Sequence, residues 1–240
     1  MAESLLQTTE RGLYCAAGDF YIDPWQPVTR AVITHAHSDH ARPGSQRYLT
    51  TTSGAAILRM RVGPVPRIVA QPFGKAIDVN GVRVSLHPAG HLLGSAQVRV
   101  EHRGEVWVVS GDYKTEPDVT CEAFEVVKCH TFITESTFGL PIYRWRPQAQ
   151  IFGEINQWWR QNQEQGRTSI LFGYALGKAQ RMLAGVDEAT GPILIHGAVA
   201  RFVHAYRRAG IVQPPTLYAD SENSRLHRGQ ALVVAPPSAA

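Results

Sequence analysis

Thr34-His35-Ala36-His37-Ser38-Asp39-His40 is the stretch that decides the fold, and it directly follows the apolar run Ala31-Val32-Ile33. Its three histidines and one aspartate lie within six residues, which is typical of a metal-binding cluster at a strand end. His35 and His37 are two residues apart, so both side chains face one point if the backbone is extended. Two groups of ligands on one loop indicate two divalent metals. Imidazole and carboxylate favour zinc, with manganese or iron as alternatives.

Further acids and imidazoles follow other strand-like runs of the chain. They are Asp23, His91, Asp112 and Glu135. A rigid sheet edge builds a site from the ends of several strands, so we expect these residues to gather around the cluster. Taken singly, His91 would be an ordinary loop histidine and Asp112 a turn acid, but beside the cluster the metal-ligand interpretation is favoured. A structural zinc is disfavoured, because such sites close with four ligands, often thiolates, and no cysteine is near in the sequence.

The composition is that of a folded protein with a substantial core. Of 240 residues, 44% are hydrophobic and 18% are charged, which argues against wholesale disorder. No apolar run approaches the roughly 18 residues of a membrane span. Met1-Ala2-Glu3-Ser4 lacks the basic start and apolar stretch of a signal peptide. The three cysteines have no CxxC spacing, so we expect a reducing, cytoplasmic location and no disulfide framework.

Short strands dominate the first part of the chain. The predicted strands are Gly12–Cys15, Phe20–Ile22, Val28–Thr34, Arg47–Thr50, Arg67–Ala70 and Thr131–Thr134, with hairpins over 77–86 and 96–109. In the first hairpin, Asn80-Gly81 predicts a type I′ turn. Ser53 is predicted to cap a helix over Gly54–Arg61.

The pattern changes after Phe138-Gly139, which predicts one domain over 1–138 and another over 139–240. Beyond this boundary, predicted helices alternate with predicted strands, which implies a small parallel α/β unit. The helices are 148–165, 177–184 and 198–208, and the strands are 169–172, 192–195 and 231–235.

Charge is distributed unevenly between these two parts. Residues 1–138 carry 13 Lys and Arg against 14 Asp and Glu, whereas residues 139–240 carry 11 against 6, a net charge of +5. A basic segment beside a metal site suits a polyanionic substrate, and a solvated basic surface is the plain alternative. The candidate nucleic-acid contacts are Arg144, Arg146, Lys178 and Arg181.

The order of these residues resembles the metallo-β-lactamase superfamily: an aspartate at a strand end, then HxHxDH, then a histidine and an aspartate. The resemblance implies an α/β fold, an αββα four-layer sandwich with two metals. It assigns the first metal to His35, His37 and His91. It assigns the second metal to Asp39 and His40, with Asp112 as a bridge. Asp23 would orient a ligand.

Four further segments resemble the β-CASP nucleases within that superfamily. They are AGHLLGSA at 89–96, SGDY at 110–113, ESTFG at 135–139 and GKAQ at 177–180. The chain is most similar to the bacterial exonucleases associated with an ATP-dependent DNA ligase. This implies hydrolysis of DNA phosphodiester bonds in DNA repair, an inserted α/β cap after residue 138, and a DNA ligase as partner. The implied catalytic residues are Asp39, Asp112 and Glu135.

The chain departs from the β-CASP pattern at its end. Those nucleases have a further histidine motif after the cap, whereas this sequence stops at Ala240, so we expect a truncated chain that lacks one ligand of the second metal. Two alternatives stay open: an RNA-processing β-CASP nuclease, and a non-catalytic nucleic-acid-binding partner. A small-molecule hydrolase shares the cluster but has no use for a basic insertion, and Glu135-Ser136-Thr137 argues against it.

Overall fold

The computed structural model describes residues 4–64 and 66–239. Most of the N-terminal stretch without signal-peptide features, residues 1–3, therefore lies outside the described residues. The chain divides into two compact units, residues 1–136 and 137–240. Both units combine helices and sheets, which confirms the α/β class.

The first unit contains a six-stranded sheet whose strands follow one another in sequence order. They are β1 (Gln7–Thr9), β2 (Gly12–Cys15), β3 (Phe20–Ile22), β4 (Arg30–Val32), β5 (Arg47–Thr51) and β6 (Arg67–Gln71). β1 to β3 pair antiparallel, whereas β3 to β6 pair parallel. β4 is shorter than the predicted strand at both ends, because the Val28 N–H donates to Ser45 Oγ and the Thr34 N–H donates to the Asp23 carboxylate, not to neighbouring strands.

A five-stranded sheet completes the strands of this unit. Its order is β11 (Thr131–Ile133), β10 (Glu105–Val109), β9 (Ala96–His102), β8 (Val82–Pro88) and β7 (Ile77–Val79). Both predicted hairpins are confirmed, since β7–β8 and β9–β10 pair antiparallel. Asn80 and Gly81 have φ of 52° and 82°, the left-handed values that a type I′ turn requires.

The core of the first unit lies between its two sheets. Phe20, Ile22 and Val32 from the first sheet pack in one buried cluster with Val84 and Val98 from the second. On β3, the buried Phe20 and Ile22 flank the half-buried Tyr21, which is the alternation that a strand with one face on the core requires. Helix α1 (Ala55–Val62) packs on β5 and β6, and it is the one helix within residues 4–64 and 66–136. The described residues of this unit thus form a helix layer and two sheets.

The predicted helix cap at Ser53 is wrong. Gly54 occupies the N-cap of α1 without a side-chain cap, and Ser53 Oγ donates instead to Glu122 Oε1 at 2.6 Å. A cap would need the Ser53 oxygen to accept a backbone N–H of the first helical turn. The side chain is instead turned towards a distant loop, where its hydroxyl donates a charge-assisted hydrogen bond to a carboxylate.

The second unit is a four-stranded parallel sheet with helices. The strand order is β12 (Ser169–Phe172), β15 (Leu232–Ala235), β13 (Ile193–Ile195) and β14 (Leu217–Tyr218). The helices are α2 (Gln148–Glu164), α3 (Lys178–Gly185), α4 (Gly197–Arg208) and α5 (Ser221–Leu226). Trp159 of α2 is fully buried in the core, whereas its neighbour Trp158 is 38% exposed. Within residues 4–64 and 66–239, the helices are too short or too polar to cross a bilayer.

Candidate metal centre

Strand direction brings the sequence-predicted residues of the first sheet to one edge. β3 and β4 are parallel neighbours, so the residues that follow them share an edge of the sheet. Asp23 follows β3, and residues 34–40 follow β4. The contact is direct, because the Asp23 carboxylate accepts hydrogen bonds from Thr34 and lies 2.7 Å from His40 Nδ1.

The second sheet supplies the other residues in the same way. β8 and β10 both pair antiparallel with β9, and β11 runs parallel to β10, so the three strands end at one edge. His91 follows β8, Asp112 follows β10, and Glu135 follows β11. His91 and Asp112 join the cluster, and Glu135 is close enough to act electrostatically on His91.

Four donor atoms converge on one point: His35 Nε2, His37 Nδ1, His91 Nε2 and Asp112 Oδ2. The His37 nitrogen lies 3.0 Å from that of His35 and 3.3 Å from that of His91. The Asp112 oxygen lies 3.7 Å from the His35 nitrogen and 3.6 Å from the His91 nitrogen. Tetrahedral zinc with bonds of about 2.0–2.1 Å places neighbouring ligand atoms about 3.3 Å apart. The donor set and its spacing therefore fit one tetrahedral metal ion.

A hydrogen-bond chain fixes the orientation of His35. The Thr34 hydroxyl donates to Asp23 Oδ2 at 2.5 Å, and its oxygen lies 3.1 Å from His35 Nδ1. Since the hydroxyl proton is committed to Asp23, we assign the Nδ1 proton of His35 as donor to Thr34. Nε2 of His35 then presents its lone pair to the other three donor atoms, as a metal ligand must.

Two imidazoles of this group, those of His35 and His91, are held neutral. Burial, followed by the neighbouring histidines, lowers the pKa of His35 well below its ordinary value. Burial and the adjacent His37 lower the pKa of His91 to about 4. A hydrogen bond with His40 lowers the pKa of Asp112, so this carboxylate is ionised. Neutral imidazoles and a carboxylate are the protonation states that bind a divalent cation.

Asp39 and His40 lie on the other side of Asp112. His40 Nε2 is 3.3 Å from Asp112 Oδ1 and 3.6 Å from Asp39 Oδ2. Burial would lower the pKa of His40, but its hydrogen bonds to Asp112 and Asp23 outweigh burial and raise it to about 10. The side chain of Asp39 is 72% exposed. This group is more open than the first, and His40 is protonated at neutral pH in the metal-free chain, so an ion bound here would have to displace that proton.

The sequence did not reveal several residues that hold the His91 loop. Ser95 Oγ accepts hydrogen bonds from the backbone N–H of His91 and of Leu92, both at 3.1 Å. Glu122 accepts from the Gly94 N–H at 3.0 Å. Ser95 lies in the quoted AGHLLGSA segment, so a signal existed for it, whereas nothing around Glu122 marks it.

Gly94 itself is required by its backbone. Its φ is 75°, and a Cβ there would collide with the backbone of Gly54 at the start of α1. The close approach brings the His91 loop against the start of α1. Thr51 at the end of β5 also holds this loop, since its Oγ1 donates to the Gly94 carbonyl at 2.7 Å.

The predicted nucleic-acid contacts all lie in the second unit. Arg144 is exposed, and Arg146 Nη1 binds both oxygens of Glu154 at 2.7 and 2.9 Å. Lys178 is exposed at the first residue of α3, and Arg181 Nε donates to Gln148 Oε1 at 3.1 Å.

No protein-family model matches the chain. It is 31% identical over 229 residues to a probable DNA ligase of Opitutus terrae, covering 94% of this chain and 22% of that protein. It is 27% identical over 173 residues to endoribonuclease ysh-1 of Neurospora crassa, covering 68% of this chain and 19% of that protein. It is also 33% identical over 118 residues to the cleavage and polyadenylation specificity factor 73 of Drosophila melanogaster, covering 48% of this chain and 17% of that protein.

The chain thus spans about a fifth of the length of the curated relatives that it matches. Among solved structures, it is similar to a protein of unknown function from Enterococcus faecalis, with a TM-score of 0.60. That match covers 86% of this chain and 58% of the other at 11% identity, so it shows a shared fold and nothing about function.

Proposed function

We propose that the chain is a metal-dependent phosphodiesterase of the β-CASP group of the metallo-β-lactamase superfamily. In this proposal it acts on DNA as a cytoplasmic exonuclease in repair, together with an ATP-dependent DNA ligase. The observation that carries it is the convergence of His35, His37, His91 and Asp112 at tetrahedral spacing, with Asp39 and His40 beside them.

The first ion would be held by His35, His37, His91 and Asp112. The second would be held by Asp39, His40 and the shared Asp112. When bound, such ions supply a Lewis acid for a phosphoryl oxygen and a nucleophile that is available at neutral pH. Zinc is the favoured metal because the first donor set is tetrahedral with three nitrogens, and manganese is the alternative.

The side chains around the centre have separate tasks in this proposal. Asp23 holds Thr34 and His40, so it fixes two elements of the centre at once. Asp112 neutralises charge on both sides and lies between the two groups of donors. Asp39 is the most exposed of these residues, so a phosphate group that enters from solvent would meet it. Glu135 would act as a catalytic acid or orient one.

Two classes of nucleic acid compete as substrate. DNA is supported by the similarity to a protein named as a DNA ligase, which extends over 94% of this chain. RNA is supported by the similarity to proteins named as endoribonucleases, over 68% of this chain in the Neurospora crassa case. The longer match favours DNA, and RNA cleavage is the second candidate.

End-labelled DNA and RNA oligonucleotides of one sequence test this proposal. The purified chain is loaded with zinc or manganese, and products are resolved over time from either labelled end. We expect release of single nucleotides from DNA, and loss of this activity in His37→Ala and Asp112→Ala. His204→Ala is the matched control, since this histidine is exposed on α4.

Three results would count against the proposal. Faster cleavage of the RNA strand would favour the RNA-processing alternative. Unchanged rates in both site variants would refute the site assignment. No cleavage, combined with less than one equivalent of metal by elemental analysis, would favour a non-catalytic nucleic-acid-binding partner.

A further inference from the structure

Three aromatic side chains form an exposed cluster at the start of the second unit. Phe138, Tyr143 and Trp145 are 54%, 43% and 65% exposed. The Phe138 ring meets the other two edge-on, with centroids 5.0 and 5.1 Å away. The rings of Tyr143 and Trp145 are within 12° of parallel, with centroids 6.5 Å apart. We name this group the aromatic platform; exposed rings held together in this way have faces that a ligand can cover.

The platform is anchored to a helix. Pro147, two residues after Trp145, is the N-cap of α2. Between them, Arg146 binds both carboxylate oxygens of Glu154, nearly two turns into that helix. Gln150 donates to the same carboxylate at 3.2 Å. A guanidinium bound in this way fixes the chain at the base of the platform, so the aromatic residues need little ordering when a ligand binds.

The charge of the same segment and of the second unit favours an anionic ligand. Arg144 is exposed between Tyr143 and Trp145 in sequence, and residues 139–240 carry a net charge of +5. Aromatic faces interleaved with a cationic side chain match a ligand that offers flat rings joined by phosphates. Unpaired bases have free faces, whereas bases in a duplex are already stacked on their neighbours.

We propose that the aromatic platform binds single-stranded DNA, with unpaired bases stacked on Trp145 and Tyr143 and a phosphate against Arg144. The inference rests on the proposed function in taking DNA as the substrate, and it adds that the strand is bound unpaired. Stacking on an aromatic side chain is tolerant of sequence, so the platform would bind any DNA strand end that is single-stranded.

Equilibrium binding to the full chain in the presence of a chelator tests this, since no cleavage then interferes. The probes are a labelled single strand of mixed sequence, an abasic strand of the same length, and a duplex. We expect Trp145→Ala to weaken binding to the base-bearing strand by roughly 5- to 150-fold and to leave the abasic strand and the duplex unchanged. Trp145→Phe should restore most of the affinity. Arg144→Ala should weaken the base-bearing and abasic strands alike.

Tyr218→Ala is the matched control, because Tyr218 is an exposed aromatic residue of the same unit outside the platform. Equal affinity of Trp145→Ala and wild type for the base-bearing strand would overturn the inference, as would an equal loss on the abasic strand. A ribonucleotide strand bound as tightly, with the same dependence on Trp145, would overturn the assignment to DNA. Cleavage by the metal-loaded chain is measured separately, so the nuclease proposal and the platform can fail independently.

Discussion

Replacing Asp23 tests whether its carboxylate organises the metal centre. It accepts the Thr34 N–H at 2.8 Å and the Thr34 hydroxyl at 2.5 Å, and it lies 2.7 Å from His40 Nδ1. Hydrogen bonds to a charged group contribute about 1.5–3 kcal/mol each. Because the side chain is 14% exposed, we take the lower value. Asp23→Ala should then reduce the free energy of unfolding by about 3–5 kcal/mol.

The backbone at this position needs its own control. Asp23 has a φ of 44°, so alanine adds strain that is unrelated to the carboxylate. Asp19 has a similar φ of 51°, but its carboxylate is exposed and bound to Arg30. Asp19→Ala therefore carries the same backbone strain and loses an exposed ion pair, worth about 0–1 kcal/mol, and an exposed hydrogen bond from the Tyr14 hydroxyl. The difference between the two variants isolates the buried network.

Amide hydrogen exchange in β8 and β9 is the assay, because it follows the first unit separately from the second. It is measured on the metal-free chain near neutral pH. Asp23→Asn adds a finer test: asparagine keeps the shape but points an amide donor or a weaker acceptor at His40, so we expect metal affinity to fall about 10- to 100-fold. A difference between Asp23→Ala and Asp19→Ala below about 1 kcal/mol would refute the network's role.

Two further predictions concern pH and backbone. Since Asp112 and Asp23 raise the pKa of His40 to about 10 against the opposing effect of burial, its stabilisation of the metal-free fold is complete below about pH 6.5 and is lost as pH rises towards 10. Urea titrations should show this decline in wild type and not in His40→Gln. Gly94→Ala should cost about 2–5 kcal/mol through strain and collision with Gly54, whereas Gly104→Ala, which has a similar φ and open space, should cost about 1–2 kcal/mol in the same titrations.

Local sequence signals predicted much of the fold. The Asn80-Gly81 turn is set by two residues that tolerate left-handed backbone, so it could be predicted without knowing what packs around it. The parallel sheet of the second unit followed from the alternation of helices and strands. The two-residue strand β14 (Leu217–Tyr218) was missed, because a segment that short has no period of its own and is ordered by pairing with β13.

The sequence pointed to the donor residues of the centre but not to the hydrogen bonds that hold the surrounding loops in place. His35, His37, His91 and Asp112 have recognisable types and spacing, and the structure brings them together. Glu122 and Ser53 form their hydrogen bond across 69 positions of the chain, and no local pattern encodes such a pair. The same limit explains why the predicted cap at Ser53 is wrong. Its hydroxyl binds the carboxylate of Glu122, and the local capping bond to the start of α1 is not formed.

Thr34 shows why the cluster works only within the complete first unit. Its N–H and hydroxyl bind Asp23 at the edge of the first sheet, and its carbonyl accepts the Ala96 N–H of β9 at 2.8 Å. A Cβ at Gly111 would collide with the Thr34 side chain, so glycine at the end of β10 lets Asp112 come close. This buried threonine therefore joins both sheets directly beside the ligands. An ion bound by His35 from one sheet and by His91 and Asp112 from the other would join the same two sheets again, so metal affinity and the stability of the first unit must be coupled.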